Sequence, residues 1–255
     1  MKTIWGRLWT IFLVPVVLFV LWLVVSADSS NFFFPALAKI LAAFRDTWLC
    51  GSGAAEIAPS LWRLAVGFLA AFAFALVAGV ILGSSKVARD YTEPVFEFFR
   101  AIPPTVMIPV LLVISGIGDA SKIAVISLGC VWPMLLNTIE GVRSVDSVLK
   151  DTCSVYRIHG LRRLLVLTLP AASPQIVTGM RTGLSIGIIL MVISEMFASR
   201  NGIGFTIIQF QRTFAIPEMW SGILLLGIIG VVLSLLMRLF EMSVLHWYEG
   251  ARERS

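Results

Sequence analysis

The sequence predicts an all-α membrane protein with six transmembrane helices and one long polar segment between the fourth and the fifth. Its mean hydropathy of +0.92, with 58% apolar and only 14% charged residues, lies outside the range of soluble globular chains. Uncharged runs of 19 and 20 residues, at 8–26 and 64–83, are long enough to cross the hydrocarbon layer as helices. No hydrophilic block is long enough to form a separate soluble domain, so a single membrane domain over residues 1–255 is expected.

The first third of the chain is expected to hold two spans joined by an outer loop. The run 8–26 follows Lys2 and Arg7, a pattern shared by signal peptides and first spans. Its length, and the absence of a small-residue cleavage site before Asp28, favour a retained span. Residues 28–60 have mixed polarity and are expected to form a loop that touches the membrane interface. The second span covers 64–83.

The third span, at about 94–115, is predicted to be irregular because it carries Arg100 and the prolines Pro103, Pro104 and Pro109. Broken helices at membrane depth are tolerated where protein or a water-filled path surrounds them. This segment is therefore a candidate for lining a route through the membrane. The remaining spans are expected at 123–139, 181–198 and 219–237.

The polar segment, at 144–174, is predicted to form two short helices separated by a turn. Apolar residues recur at helical spacing over 145–156, with polar and charged residues on the other side. Gly160 is expected to break this first helix. Leu169-Pro170 is expected to close the second, because proline disfavours helix in the residue before it.

The charge distribution predicts that both termini and the polar segment are cytoplasmic. A competing interpretation counts the uncharged run 164–180 as a span, but Pro170 and Pro174 lie in its middle. Without it the chain has six spans, and 11 basic residues on the side of the termini face six on the other side. A seven-span chain would move the C-terminal tail outside and weaken that bias.

The polar segment contains an acid followed by two small residues, Asp151-Thr152-Cys153, and ends in Leu169-Pro170. This arrangement resembles the coupling loop in the membrane subunits of bacterial ATP-binding-cassette (ABC) importers. The family pattern begins with Glu-Ala-Ala, continues to a glycine and ends in Leu-Pro. In this alignment Arg157 stands at the family's glycine position, where the sequence departs from the pattern.

Motifs outside the polar segment carry a wider resemblance. They are Ser60-Leu61-Trp62-Arg63, Arg100-Ala101-Ile102-Pro103-Pro104, Gly116-Ile117-Gly118, and Glu195-Met196 with Gly202-Ile203-Gly204. They are similar to the nitrate, sulfonate and taurine group of these importer permeases, from about residue 35 onward. The resemblance implies the type I ABC importer permease fold in a bacterial inner membrane.

The resemblance also implies a division of labour among subunits. Two permease subunits form the pore, two cytoplasmic ABC ATPases dock on the coupling loops, and a periplasmic or lipid-anchored binding protein delivers the solute. ATP and magnesium are expected on the partner ATPase, because this chain has no Gly-x-x-x-x-Gly-Lys-Ser/Thr phosphate loop. No cofactor and no catalytic activity are expected in the chain itself.

The coupling role is expected to lie in the polar segment, where a short amphipathic helix with an exposed acid and small neighbours can seat in a groove of the ATPase. The alternative is an interfacial helix that lies on lipid. The residues expected to carry the coupling role are Asp151, Thr152, Cys153, Tyr156, Arg157, Gly160, Leu169 and Pro170.

Candidates for the transport path are Arg100, Met107, Met191 and Glu195. Ionisable groups in spans are costly unless they are paired or face a polar path. Arg100 either attracts an anionic solute or belongs to a structural pair or to the headgroup layer. Glu195 is expected in a gate or in a hydrogen bond at a subunit interface. The methionines offer an adaptable surface, with ordinary packing as the alternative.

The expected solute is a small anion such as an alkanesulfonate, taurine or nitrate. Within the family the alternative is a neutral or aromatic nutrient, such as a pyrimidine precursor of thiamine. Outside it, the alternatives are an ion-coupled carrier or channel, which would place a carboxylate or histidine near mid-bilayer, and a non-transporting scaffold. Basic residues dispersed among apolar segments favour contact with lipid headgroups over nucleic acid.

Other sites are not expected from the residues. Neither His159 nor His246 has a cysteine or a carboxylate cluster nearby that would make a metal or catalytic site. The cysteines Cys50, Cys130 and Cys153 fall in a loop, a span and the polar segment, so no disulfide is expected.

Overall fold

The computed structural model describes residues 31–252 and, before them, residues 13, 17 and 20–26. All regular elements between residues 31 and 252 are helical, which confirms the predicted all-α class. The first predicted span, 8–26, lies largely outside the described residues. Its last described part, 20–26, is helical, and Ser26 Oγ accepts a hydrogen bond from the Leu37 amide at 3.2 Å.

The α-helices of residues 31–252 are numbered here in chain order. They are α1 Leu37–Phe44, α2 Ile57–Ser84, α3 Lys86–Ala101, α4 Ile108–Ser115, α5 Asp119–Arg143, α6 Ser147–Val155, α7 Gly160–Arg163, α8 Leu169–Ala198, α9 Ile203–Arg212 and α10 Ile216–Arg252. A π-helical turn, Leu164–Thr168, joins α7 to α8 without interruption.

Four helical stretches in the described residues are long and apolar enough to cross a membrane. They are Ser52–Ser84, Asp119–Arg143, Gly160–Phe197 and Ile216–His246. The pair Lys86–Ala101 and Pro104–Ser115 passes the same criterion together, with a bend of 79° at the break. By length and composition, the described part of the chain therefore holds four candidate spans, or up to five when the bent pair counts as one.

The bend falls where the sequence predicted an irregular third span. Ile102 is extended, with ψ of 116°, because Pro103 excludes helical geometry from the residue before it. The helix on the first side, α3, begins at Lys86, earlier than the predicted start at 94. It begins there because Ser85 Oγ caps it by accepting a hydrogen bond from the Ala88 amide at 3.2 Å.

The core of the bundle consists of α2, α5 and α8. Small residues on α2 let the helices approach closely: a Cβ atom at Gly79 would lie 2.6 Å from the Thr138 side chain of α5, which leaves room only for glycine. Ala71, Ile126 and Met191 are fully buried between these helices. This packing fixes how the three helices are offset along their axes. It therefore also sets which side chains lie next to each other at the two ends of the bundle.

The predicted boundary at Leu169-Pro170 is wrong, because the helix runs continuously from Gly160 to Phe197, over 38 residues. Pro170 has no N–H, and in a regular helix its ring would press on the carbonyl of residue 166. The wider π turn Leu164–Thr168 lies directly before it and absorbs this mismatch. The segment that connects α5 to this long helix is therefore residues 144–159, which we name the connecting segment.

Candidate functional site

The connecting segment contains one regular helix, α6. Asp146 caps its start by accepting a hydrogen bond from the Val148 amide at 2.7 Å. Asp151 and Thr152 are exposed on α6, and Cys153 is partly buried. The predicted acid and its hydroxyl neighbour are therefore presented at the surface of the chain.

The C-terminus of α6 forms a Schellman motif, the turn that commonly ends helices. The Ile158 amide donates to the Cys153 carbonyl at 2.8 Å, and the Arg157 amide donates to the Ser154 carbonyl at 3.1 Å. Arg157 has φ of 55°, in the left-handed region where glycine is the usual residue. The resemblance placed Arg157 at the family's glycine position, and its backbone geometry explains why glycine suits that position.

Gly160 does not end α6 as predicted, because the helix has already ended at Val155. It is instead the first residue of α7, with φ of 58°. The chain thus takes two left-handed residues, Arg157 and Gly160, to turn from α6 into the following helix. Leu169 and Pro170 are partly buried and lie beyond this turn, inside the long helix.

Apolar side chains are exposed around the same turn. Val155 and Tyr156 are 80% and 74% exposed, and Leu161 at the start of α7 is 70% exposed. Val148 of α6 adds to this group at 68%. Exposed apolar residues that cluster next to polar ones mark a contact with another protein or with a membrane surface. We name these residues and their polar neighbours Asp151 and Thr152 the docking face.

A buried polar network occupies the opposite end of the bundle. Arg63 of α2 is 2% exposed, and its Nη1 atom lies 2.7 Å from Oε1 of the fully buried Glu195. Arg63 Nε donates to Asp119 Oδ1 at 2.8 Å, and the Asn201 side chain accepts another hydrogen bond from the guanidinium. One guanidinium thus joins α2, α5, α8 and the loop before α9. We name Ser60, Arg63, Asp119, Glu195 and Asn201 the Arg63 network.

The loop before α9 closes over the Glu195 carboxylate. Ser60 Oγ donates to this carboxylate at 2.9 Å and accepts from the Ile203 amide at 2.9 Å, while the Gly204 amide donates to Glu195 at 3.0 Å. Gly202 has φ of 113°, and a Cβ atom there would lie 2.5 Å from the carboxylate carbon. Only glycine fits at Gly202. Motifs that the sequence showed far apart therefore form one site.

The structure places the residues predicted for the transport path in different surroundings. Met191 and Glu195 have no exposed surface in this chain. Glu195 forms hydrogen bonds with Ser60 and Arg63 of α2. Arg100 forms an exposed ion pair with Glu97 at 2.5 Å, one helical turn away, which favours the structural-pair alternative. Met107 is partly buried in the turn at the bend.

An exposed polar stripe on α8 was missed by the sequence analysis. It consists of Gln175, Thr178, Thr182 and Ser185, all exposed and spaced to lie on one face of the helix. The three hydroxyls donate to carbonyls of their own helix, at 2.8, 3.1 and 3.3 Å, which leaves each oxygen free to accept from outside. The helical spacing of these polar residues was a signal that could have identified the stripe. The predicted helix boundary at Pro170 and the predicted span start at 181 hid it, because they assigned the residues to two different elements.

Comparisons with known proteins place the chain in a family. The family profile described as "Binding-protein-dependent transport system inner membrane component" matches residues 71–245. A Bacillus subtilis relative, named for aliphatic sulfonates transport, is 29% identical over 93% of this chain and 88% of its own length. The nitrate import permease of Synechocystis is 32% identical over 74% of this chain and 69% of its own length. The taurine transport system permease of Escherichia coli is 30% identical, over 76% and 70%.

A solved structure supports the same fold. The inward-facing MetNI methionine ABC transporter contains a chain with a TM-score of 0.65 to this one at 19% identity, covering 78% of this chain and 97% of that chain. This likeness confirms the type I importer permease fold. The family match over 71–245 and the three named relatives show that the chain belongs to the inner membrane components of binding-protein-dependent transport systems, as an ABC importer permease of the nitrate, sulfonate and taurine type.

Proposed function

We propose that the chain forms half of the membrane path of an ATP-driven importer for a small anion. The relatives named for sulfonates, nitrate and taurine support an anionic solute. In this proposal the chain pairs with a second permease subunit, and a solute-binding protein delivers the solute from outside. Two cytoplasmic ABC ATPases bind the ATP and magnesium, and the termini and the connecting segment lie in the cytoplasm.

The docking face carries the proposal for the ATPase contact. A helix lying on lipid would turn its apolar side toward the bilayer, close to the membrane boundary. The helix that leads into the connecting segment, α5, has 25 residues and is about 37 Å long at 1.5 Å per residue, so its end at Arg143 passes about 30 Å of hydrocarbon. The docking face also carries the polar residues Asp151 and Thr152 among its exposed apolar side chains. A groove on a protein partner accommodates this mixed surface better than lipid does.

Co-purification with the ATPase tests this contact. Tyr156→Ala should reduce recovery of the ATPase at least tenfold, because an aromatic anchor at an interface is typically worth about 2 kcal/mol or more. Tyr91→Ala is the matched control, since Tyr91 is 81% exposed but lies on α3. Equal loss in both variants, or none in Tyr156→Ala, would contradict docking at the connecting segment. Asp151→Lys should also abolish association while leaving membrane insertion intact.

The polar stripe of α8 carries the proposal for the transport path. It lies about 18 to 33 Å from Phe197 along the helix axis, within the inner half of the membrane. By contrast, the exposed side chains of Ile228 and Val232 on α10 are apolar, as contact with lipid requires. The hydroxyl and amide groups of α8 are exposed at the depth where these α10 residues are apolar, which indicates that α8 faces a water-filled path for the solute.

Thiol labelling tests the path. In a variant with Cys50 and Cys153 changed to serine, Thr182→Cys should react with a membrane-impermeant thiol reagent in the inward-open complex. Ile228→Cys, also exposed but on the apolar face, should not react. An excess of taurine or nitrate should slow labelling of Thr182→Cys when that anion is the solute. Labelling of Ile228→Cys at the same rate would contradict this path.

A further inference from the structure

A cavity lies beside the connecting segment, at the junction of α2, α5, α6 and α7. Its volume is about 460 Å³, and its walls include Ser84 of α2, Lys150 of α6, Arg163 of α7 and Thr168 of the π turn. Side chains from four separate elements therefore line one space. None of the docking-face residues lines this space, so the cavity is distinct from that face.

The walls of this cavity are positively charged and lack a counterion. Lys150 and Arg163 are both partly buried, and the lining includes no carboxylate. Neither cation forms an ion pair with any residue of the described chain, whereas Arg63, Arg100 and Arg181 all do. The hydroxyls of Ser84 and Thr168 likewise have no hydrogen-bond partner among the described residues. Two cations with hydroxyls around a common space are the donor set that binds an oxyanion.

The cavity lies at the edge of the membrane. Ser84 lies 21 residues after Arg63 on α2, and Val142 lies 23 residues after Asp119 on α5, which is about 32 and 35 Å at 1.5 Å per residue, against about 30 Å of hydrocarbon. This step rests on the proposed function, because it takes the connecting segment to lie on the cytoplasmic side. The phosphate of a lipid headgroup and a soluble ion of the cytoplasm can therefore both reach the cavity.

We propose that this cavity is a binding site for an oxyanion, a phosphate, sulfate or carboxylate group, held between Lys150 and Arg163. Such an ion ties α6 to the first turn of the long helix and to the end of α2. These are the parts that must move together when an ATPase pulls on the docking face. Occupancy therefore stiffens the joint between the ATPase contact and the spans.

Phosphate binding by the full chain, in nanodiscs of neutral phosphatidylcholine, tests the proposal without ATPase or solute. Inorganic phosphate, at constant ionic strength against chloride, should raise the thermal midpoint in a saturable way. Lys150→Gln and Arg163→Gln should each weaken the apparent affinity about tenfold, as expected for loss of a charge-assisted hydrogen bond. Arg162→Gln, which removes an exposed neighbouring cation outside the lining, should bind as the wild type does.

The absence of a saturable response in the wild type would overturn the site, as would equal weakening by Arg162→Gln and Arg163→Gln. A second arm uses nanodiscs of anionic phosphatidylglycerol. A phosphate response that persists there assigns the cavity to a soluble ion, and a response that disappears assigns it to the phosphate of a lipid headgroup. Because the assay contains only the permease, a failure here leaves the docking and path proposals untouched.

Discussion

Arg157 is a residue whose backbone conformation conflicts with its side chain. Its φ of 55° costs a non-glycine residue about 1–2 kcal/mol, yet the Schellman hydrogen bonds at the end of α6 require it. Arg157→Gly should therefore stabilise the protein by about 1 kcal/mol, the exact gain being reduced by the greater freedom of glycine in the unfolded chain. Unfolding of the purified protein by denaturant measures the change.

A substitution at Gly160 should change the free energy of unfolding in the opposite direction. Gly160 has φ of 58°, and a Cβ atom added there would meet no other atom within 4 Å. Gly160→Ala therefore adds only the conformational cost and should destabilise by about 1 kcal/mol. Arg157→Ala keeps a Cβ atom and should show no gain comparable to that of glycine. A gain in Arg157→Ala equal to that in Arg157→Gly would trace the effect to charge and not to the backbone.

The buried charge of Glu195 is compensated by the guanidinium of Arg63. Glu195→Gln removes the buried one of the two carboxylates that pair with Arg63, leaving the exposed Asp119, and should destabilise by about 3 kcal/mol, the low end of the range for breaking a buried pair. Glu97→Gln removes a carboxylate from the exposed pair with Arg100 and should cost no more than about 0.5 kcal/mol. Denaturant unfolding of both variants gives the comparison, and similar losses would show that burial does not set the cost.

At the scale of the element, the helix Gly160–Phe197 depends on its π turn to pass Pro170. Pro170→Ala restores an amide that can bond the Val166 carbonyl, so the wide turn should convert to a regular α-helix. Hydrogen exchange of the amides at 164–168 should then slow about fivefold or more, a gain of about 1 kcal/mol in local stability. Pro174→Ala, which removes a proline with no π turn before it, should leave exchange at 164–168 unchanged. Slowing of exchange in both variants would show that the π turn does not depend on Pro170 in particular.

The elements differ in how far their conformation is determined by neighbouring residues in the sequence. The uncharged run 64–83 and the proline break after Ile102 are set by neighbouring residues, and the structure has a helix and a bend there. The end of the helix at Pro170 could not be predicted from the local rule, because a π turn can absorb a proline when packing holds the helix together. Helix α6 was predicted from its amphipathic spacing, but its left-handed end at Arg157 was not.

At the scale of the whole molecule, the two polar sites lie at opposite ends of the same three helices. The Arg63 network ties α2, α5 and α8 at one end, and the connecting segment joins α5 to the long helix at the other. Arg63 and Glu195 are separated by 132 residues, so their pairing depends on helix packing that no local pattern contains. The sequence supplied both charges and the flanking motifs, yet only the fold brings them together.

The arrangement of the whole chain makes a prediction about topology. With α6 in the cytoplasm and the Arg63 network at the outer end, α10 runs from the outer side, at Ile216, to the cytoplasm. A reporter that is active only in the cytoplasm should therefore be active when fused after Ser255 and inactive when fused after Arg212, in the outer loop. Fusion after residue 158, in the connecting segment, provides the positive control. Activity after Arg212 together with none after Ser255 would show that the chain has the opposite orientation in the membrane. The docking face would then lie on the side of the membrane that has no ATP.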